Sequence, residues 1–158
     1  MAADPNSPQE EAKLVAALQK WADGKSTLRD VRGYSDEELY AIAKTAYFFF
    51  YQGRVNEART LFQGLYAVNP TDAYFAKALG VVELAAGNQQ GALAAYDVAI
   101  KLAPNDAQAY VGRAEVKLAM GQKSQAIEDL RRAASLGSSP DDAVARKAEA
   151  MISALSRR

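Results

Sequence analysis

From Leu39 onward the apolar residues recur every three or four positions, in blocks interrupted by glycine and proline at fixed intervals. Such spacing gathers apolar side chains on one stripe of a helix, whereas a strand would alternate them every second residue. The block LYAIAKTAYFFFYQGRVNEARTLFQGLYAVNPTD, residues 39–72, holds two stripes divided at Gly53 and closed by Asn69-Pro70. Its layout returns over residues 73–106 and, more loosely, over 107–140. Gly53, Gly87 and Gly121 stand 34 residues apart, as do Ala58, Ala92 and Ala126, and Phe62, Tyr96 and Leu130. Pro70 and Pro104 keep the same interval. Each of these glycines is expected at the turn inside a unit, where a left-handed backbone costs it little. Each proline stops the helix before it. Ala46, Gly80 and Ala114 on the first helices and Ala58, Ala92 and Ala126 on the second let the axes approach, with Phe62, Tyr96 and Leu130 filling the space beside them.

A helix–turn–helix period of this length, with small, aromatic and proline positions, is the tetratricopeptide repeat pattern. Three units are about the minimum that stack into a stable core. The expected fold is all-α: a right-handed superhelix of three repeats with an N-terminal helical extension and a C-terminal capping helix, about eight or nine helices and no strands. Residues 1–6 read as a disordered tail, 7–33 as the extension, 34–140 as the repeats (39–72, 73–106 and 107–140) and 141–158 as the cap. Ser7-Pro8-Gln9-Glu10 is a helix start, with Ser7 as cap and Glu10 completing a capping box. Leu14, Leu18 and Trp21 then form a stripe flanked by Val15 and Ala22, and Gly24 ends that helix. Leu28 and Val31 fall in a short tether before Gly33. Ser35 and Glu38 form a second capping box, with Tyr34 and Leu39 placed as a hydrophobic staple. Ser139-Pro140-Asp141-Asp142 opens the last helix, whose stripe is Val144, Ala148, Ile152 and Leu155.

Composition narrows the chemistry. Lys+Arg and Asp+Glu both number 19, so nothing in the net charge draws the chain to nucleic acid or an anionic membrane. Arg131-Arg132 and Arg157-Arg158 read as solvated helix surface. Without a cysteine or histidine there can be no disulfide, thiolate or imidazole metal site, or histidine-activated nucleophile. No cofactor is expected. Glu37-Glu38 and Asp141-Asp142 are paired acids, but both are expected in first turns, where carboxylates meet the helix dipole favourably. Gly33, Gly53 and Gly64 lie in no strand–turn–helix context that would make a phosphate loop. An enzyme has nothing to stand on. MAADPNSPQEEAK shows no secretory signal, and Phe48-Phe49-Phe50-Tyr51 is far too short to span a bilayer. The expectation is a cytoplasmic protein.

What remains is a surface. In this repeat class the first helix turns one side to the core and another to the concave inner face; that assignment comes from the class, since periodicity does not choose inner from outer. The inward positions are Tyr40, Ala43, Tyr47, Phe50 and Tyr51 in the first repeat, and Tyr74, Lys77, Val81, Leu84 and Ala85 in the second. The third supplies Gln108, Val111, Glu115, Leu118 and Ala119. The groove is expected to be aromatic at its N-terminal end, with Lys77 and Glu115 as isolated charges deeper in. Phe50 and Tyr51 serve equally well as core against the N-terminal helices. Tyrosine joins a large contact area to a hydroxyl that tolerates water, as binding faces require. Repeat domains that clamp a free C-terminal carboxylate carry Lys and Asn where this chain has Ala43 and Tyr47, so a segment from the interior of a partner chain fits better.

The runs AYFFFYQGRVNEARTLFQGLYAVNPTDAYFAKALG (46–80), AAYDVAIKLAPND (94–106) and AEVKLAMGQKSQAI (114–127) resemble the class II chaperones of bacterial type III secretion, over about residues 28–136. The lead-in Gly33-Tyr34-Ser35, the Gln52-Gly53 turn, Phe62-Gln63-x-Leu65 and Ala114-Glu115 carry the likeness. The resemblance implies a cytoplasmic chaperone that holds an extended hydrophobic segment of a translocator in its groove and keeps it soluble for export. It also implies a homodimer through the N-terminal helices, with Leu14, Leu18 and Trp21 at the interface. Arg113 and Lys117 depart from the repeat, which favours apolar residues there. They imply loose packing or an ion pair, and Lys117 lies one period from Glu83, so stacking could join those two. The alternatives are a generic repeat scaffold for protein assembly, or an assembly subunit working through its N-terminal helix with the groove filled by its own extension.

Overall fold

The computed structural model describes residues 33–157 and, before them, positions 7–9, 12 and 16. Among residues 33–157 seven helices follow one another: α1 (Asp36–Tyr51), α2 (Val55–Val68), α3 (Ala73–Ala85), α4 (Gln89–Leu102), α5 (Ala107–Ala119), α6 (Lys123–Ser135) and α7 (Ala143–Ser156). No strand occurs among the described residues. Pro8, Gln9, Ala12 and Ala16 are helical. The expected capping box at Glu10 and the proposed interface residues Leu14, Leu18 and Trp21 lie outside the described residues.

Each turn within a repeat is the same hydrogen-bonded device. At the end of α1, Gly53 N–H donates to the Phe50 carbonyl (3.0 Å) and Arg54 N–H to the Phe49 carbonyl (2.9 Å). The pair is a Schellman motif and needs a left-handed residue at its centre. Gly53 supplies it with φ +78°, and Gly87 and Gly121 repeat it at +83° and +76°. The residue that completes the motif is also the N-cap of the next helix, so three residues reverse the chain. Between repeats the caps are carboxylates: Asp72 accepts from Tyr74 N–H (2.9 Å) and Asp106 from Gln108 N–H (3.1 Å). Ser35 and Glu38 form their reciprocal box at the start of α1. Asp142 caps α7 through Val144 and Ala145. Asp141, expected in the first turn of α7, precedes the cap instead.

Every helix packs on its successor. Three apolar clusters run through the stack, around Phe62 and Phe75, around Tyr96 and Val116, and around Leu130. Ala148, Val144, Ile152 and Leu155 of α7 close the third cluster, covering the end of the last repeat. The first helices α3, α5 and α7 also pack directly on one another, and α1 reaches α3 through Tyr40, whose ring lies 5.4 Å from Phe75. The second helices make no comparable packing on one another among the described residues. A stack drawn closer on one side curves toward it, so the first helices line the inner face.

Two buried carboxylates pin the helices. Glu83 of α3 accepts from Arg59 (3.0 Å) and Gln63 (2.9 Å) of α2 and from Asn88 (2.8 Å) in the following turn. Burial opposes its ionisation, but those three donors outweigh it and hold the carboxyl below the usual range. Asp129 of α6 is gripped by Arg113 (2.7 Å) and Lys117 (2.8 Å) of α5. The sequence suggested a Lys117–Glu83 pair; each residue instead pairs with a second helix, Lys117 inside its own repeat and Glu83 across a repeat boundary. An ion pair, rather than loose packing, thus accommodates the two cations.

Candidate peptide-binding groove

The N-terminal third of the inner face is a sheet of aromatic rings. Tyr40 and Tyr74 meet edge to face at 5.5 Å, Tyr47 lies 6.3 Å from both Tyr74 and Tyr51, and Phe50 meets Tyr51 at 5.7 Å. Tyr40 and Tyr74 are exposed, and Tyr51 is the most open of the group at 80%. Tyr47 and Phe50 are half-buried against the first core cluster, with Tyr47 4.9 Å from Phe62. Both core and surface descriptions therefore hold here, divided between Phe50 and Tyr51.

The Tyr40 hydroxyl is tied to the scaffold. Tyr40 donates to Asp72 Oδ2 at 2.6 Å while Asp72 Oδ1 caps α3. That hydrogen bond, followed by burial, pushes the Tyr40 phenol up to about 12. Burial, then the neighbouring Tyr74 and Tyr51, raises Tyr47 as well. The next boundary repeats the device with a different donor: Lys77 Nζ reaches Asp106 Oδ2 at 2.7 Å while Asp106 Oδ1 caps α5.

Beyond the aromatic end the groove deepens into a hollow of about 280 Å³ lined by Tyr47, Lys77, Val81, Tyr96, Gln108 and Val111, with Gly112, Glu115, Val144 and Lys147 completing it. Its charges are not isolated, as the sequence suggested. Lys77 is held by Asp106 and Gln108, and Glu115 by Lys147 at 3.0 Å. Paired charges fix the rim and leave the hollow close to neutral.

Of the fifteen residues expected on the inner face, six line this hollow: Tyr47, Lys77, Val81, Gln108, Val111 and Glu115. Tyr40, Tyr51 and Tyr74 form the aromatic approach, with Phe50 partly beneath it. Leu84 is half-buried against the middle core cluster and lines no part of the hollow. Ala43 is a correction: it is 1% exposed inside the first cluster, out of a ligand's reach. Its repeat equivalent, Lys77, escapes burial because its long stem carries the ammonium outward to Asp106.

Four lining residues went unassigned from the sequence. Tyr96 belongs to a second helix yet crosses to the inner face, because Gly80 and Gly112 leave room for its ring. A Cβ at Gly80 would meet that ring at 2.7 Å, and one at Gly112 at 2.3 Å. A glycine on each first helix flanking a second-helix tyrosine was the available signal. Val144 and Lys147 make α7 a wall of the hollow as well as the cover of the third repeat.

A tetratricopeptide repeat family model matches residues 44–107. No curated protein matches. Among solved structures, PcrH in complex with the chaperone binding region of PopD is 26% identical, with a TM-score of 0.74 over 80% of this chain and 97% of that one. PcrH has also been solved from Pseudomonas aeruginosa. The translocator chaperone SycD of Yersinia enterocolitica is 21% identical, TM-score 0.74, over 82% of this chain and 98% of that one. A type III secretion complex from Aeromonas hydrophila contains a chain 22% identical, TM-score 0.75, over 90% and 96%. By repeat period, helix order and these likenesses, the chain has the tetratricopeptide-repeat fold and shares the architecture of the type III secretion translocator chaperones.

Proposed function

We propose that the chain is a cytoplasmic, non-enzymatic chaperone of type III secretion that holds an extended apolar segment of a translocator in its inner groove until export. One observation carries the reading: an exposed tyrosine floor, Tyr40, Tyr51 and Tyr74, runs into a near-neutral hollow with apolar walls. An exposed aromatic patch of this kind marks a partner site. The complex of PcrH with a region of PopD supports the partner class. Each tyrosine or leucine buried at such an interface contributes roughly 1.5–3 kcal/mol, offset by the cost of ordering the peptide. A few anchors give micromolar to nanomolar affinity, on the order of 8–12 kcal/mol. Homodimer formation through Leu14, Leu18 and Trp21 belongs to the same proposal.

Co-expression with an aggregation-prone translocator tests it. The chaperone keeps that partner in the soluble fraction, and a scaffold for folded proteins leaves it in the pellet. Tyr51→Ala separates binding from folding because the side chain is so exposed: affinity is expected to fall by roughly 1–2 kcal/mol, with the melting temperature unchanged. Equal affinity in the variant would remove Tyr51 from the site.

A further inference from the structure

The ring of Tyr96 is buried, with 3% of the residue exposed, and its hydroxyl has no hydrogen-bond partner among the described residues. A buried phenol normally finds one, because leaving it unpaired costs about 1–3 kcal/mol. Tyr110, the other buried tyrosine, obeys: its hydroxyl donates to the Pro104 carbonyl at 3.0 Å. The Tyr96 hydroxyl lies against Gly112, 2.4 Å from where a Cβ would stand, and Gly112 and Tyr96 both line the hollow. Burial, then the charge of Glu115 and the neighbouring Tyr47, raises its pKa, so the O–H stays a donor at any physiological pH. Glu115 and Tyr47 face the same space.

We propose that the base of the hollow is a polar subsite in which Tyr96 Oη recognises an uncharged side chain of the bound segment, an amide or a hydroxyl. This rests on the groove reading above and adds a requirement to it. Such a group accepts from the Tyr96 hydroxyl and donates toward the Glu115 carboxylate, while its stem lies against Val81, Val111 and Val144. A charged side chain is disfavoured, since both cations at the rim are engaged, Lys77 with Asp106 and Lys147 with Glu115, and an ion pair would have to open. A purely aliphatic side chain would displace water from the hollow and leave the hydroxyl unpaired. The segment is therefore apolar along the tyrosine floor and carries one hydrogen-bonding residue where it crosses from α3 to α5.

A display library of random twelve-residue peptides, selected in parallel on the wild-type chain and on Tyr96→Phe, tests the subsite. Wild type is expected to enrich Asn, Gln, Ser or Thr at one position among apolar neighbours. Tyr96→Phe keeps the apolar positions and loses that preference, and peptides chosen by wild type bind it roughly tenfold more weakly, the scale of one lost hydrogen bond. The melting temperature of the variant is unchanged or raised, because no internal bond is removed. Identical preferences in both selections overturn the subsite and leave the groove standing. A lower melting temperature would reveal an internal partner for the hydroxyl and overturn it too. If wild type enriches no peptide, the groove reading fails, and the subsite with it.

Discussion

Glycines show how differently one residue type acts in this chain. Gly87 serves by its backbone: at φ +83° with open space around it, an added methyl would meet no atom but would strain a conformation that L residues avoid. Gly87→Ala is expected to cost about 1–2 kcal/mol in denaturant unfolding and to leave binding intact. Gly112 serves by its missing side chain. Gly112→Ala drives a methyl into the Tyr96 ring, costs roughly 1–3 kcal/mol by overpacking, and partly fills the hollow, so stability and binding fall together. The first role could be read in the sequence, because a 34-residue period exposes a turn position. The second could not, since Gly112 and Tyr96 become neighbours only through stacking. Ala43 was misplaced for a related reason: repeat equivalence transfers a register, whereas exposure depends on the length of the side chain that occupies it.

Between helices, carboxylates set the spacing. Glu83 joins α2 to α3, and Asp129 joins α5 to α6. Removing one partner of a buried ion pair strands the others, so Glu83→Ala is expected to destabilise the stack by about 2–3 kcal/mol, measured by urea unfolding at neutral pH. The pH dependence has a definite sign. A carboxyl held below its unfolded value stabilises the fold above that value and loses the contribution as acid protonates it. Stability should fall as the pH drops below about 4.5, and the fall should be shallower in Glu83→Gln. At the alkaline end the sign reverses. Tyr40, held protonated up to about 12, contributes stability that is present below pH 10 and is lost as the pH rises from 10 through 12. Tyr40→Phe should flatten that limb, with phenolate absorbance reporting the titration. Which helices exist followed from caps and stripes. Which carboxylate meets which cation did not: the 34-residue offset from Glu83 to Lys117 marks equivalent places, and equivalent places need not touch.

At the scale of the whole molecule, the described residues form a stack closed at one end and open along its inner side. Ala148, on the inner face of α7, is fully buried in the third cluster, so Ala148→Glu, placing an unpaired charge there, should release the cap at a cost of about 3 kcal/mol. Because α7 also carries Val144 and Lys147 into the hollow, the same variant should lose binding, which would be unexpected of a mere end cover. The repeat pattern announced the solenoid and the tyrosines its approach, but the hollow needed four elements, α1, α3, α5 and α7, with Tyr96 of α4 reaching between two of them. Sequence spacing describes each helix face separately and cannot show where five of them converge.

Hydrogen exchange on the chain co-purified with a translocator, compared with the chain alone, tests the central claim most directly. Protection is expected along α1, α3 and α5 and at the start of α7, with α2, α4 and α6 little changed. Protection concentrated on α2, α4 and α6, with the first helices unaltered, would contradict binding in the inner groove.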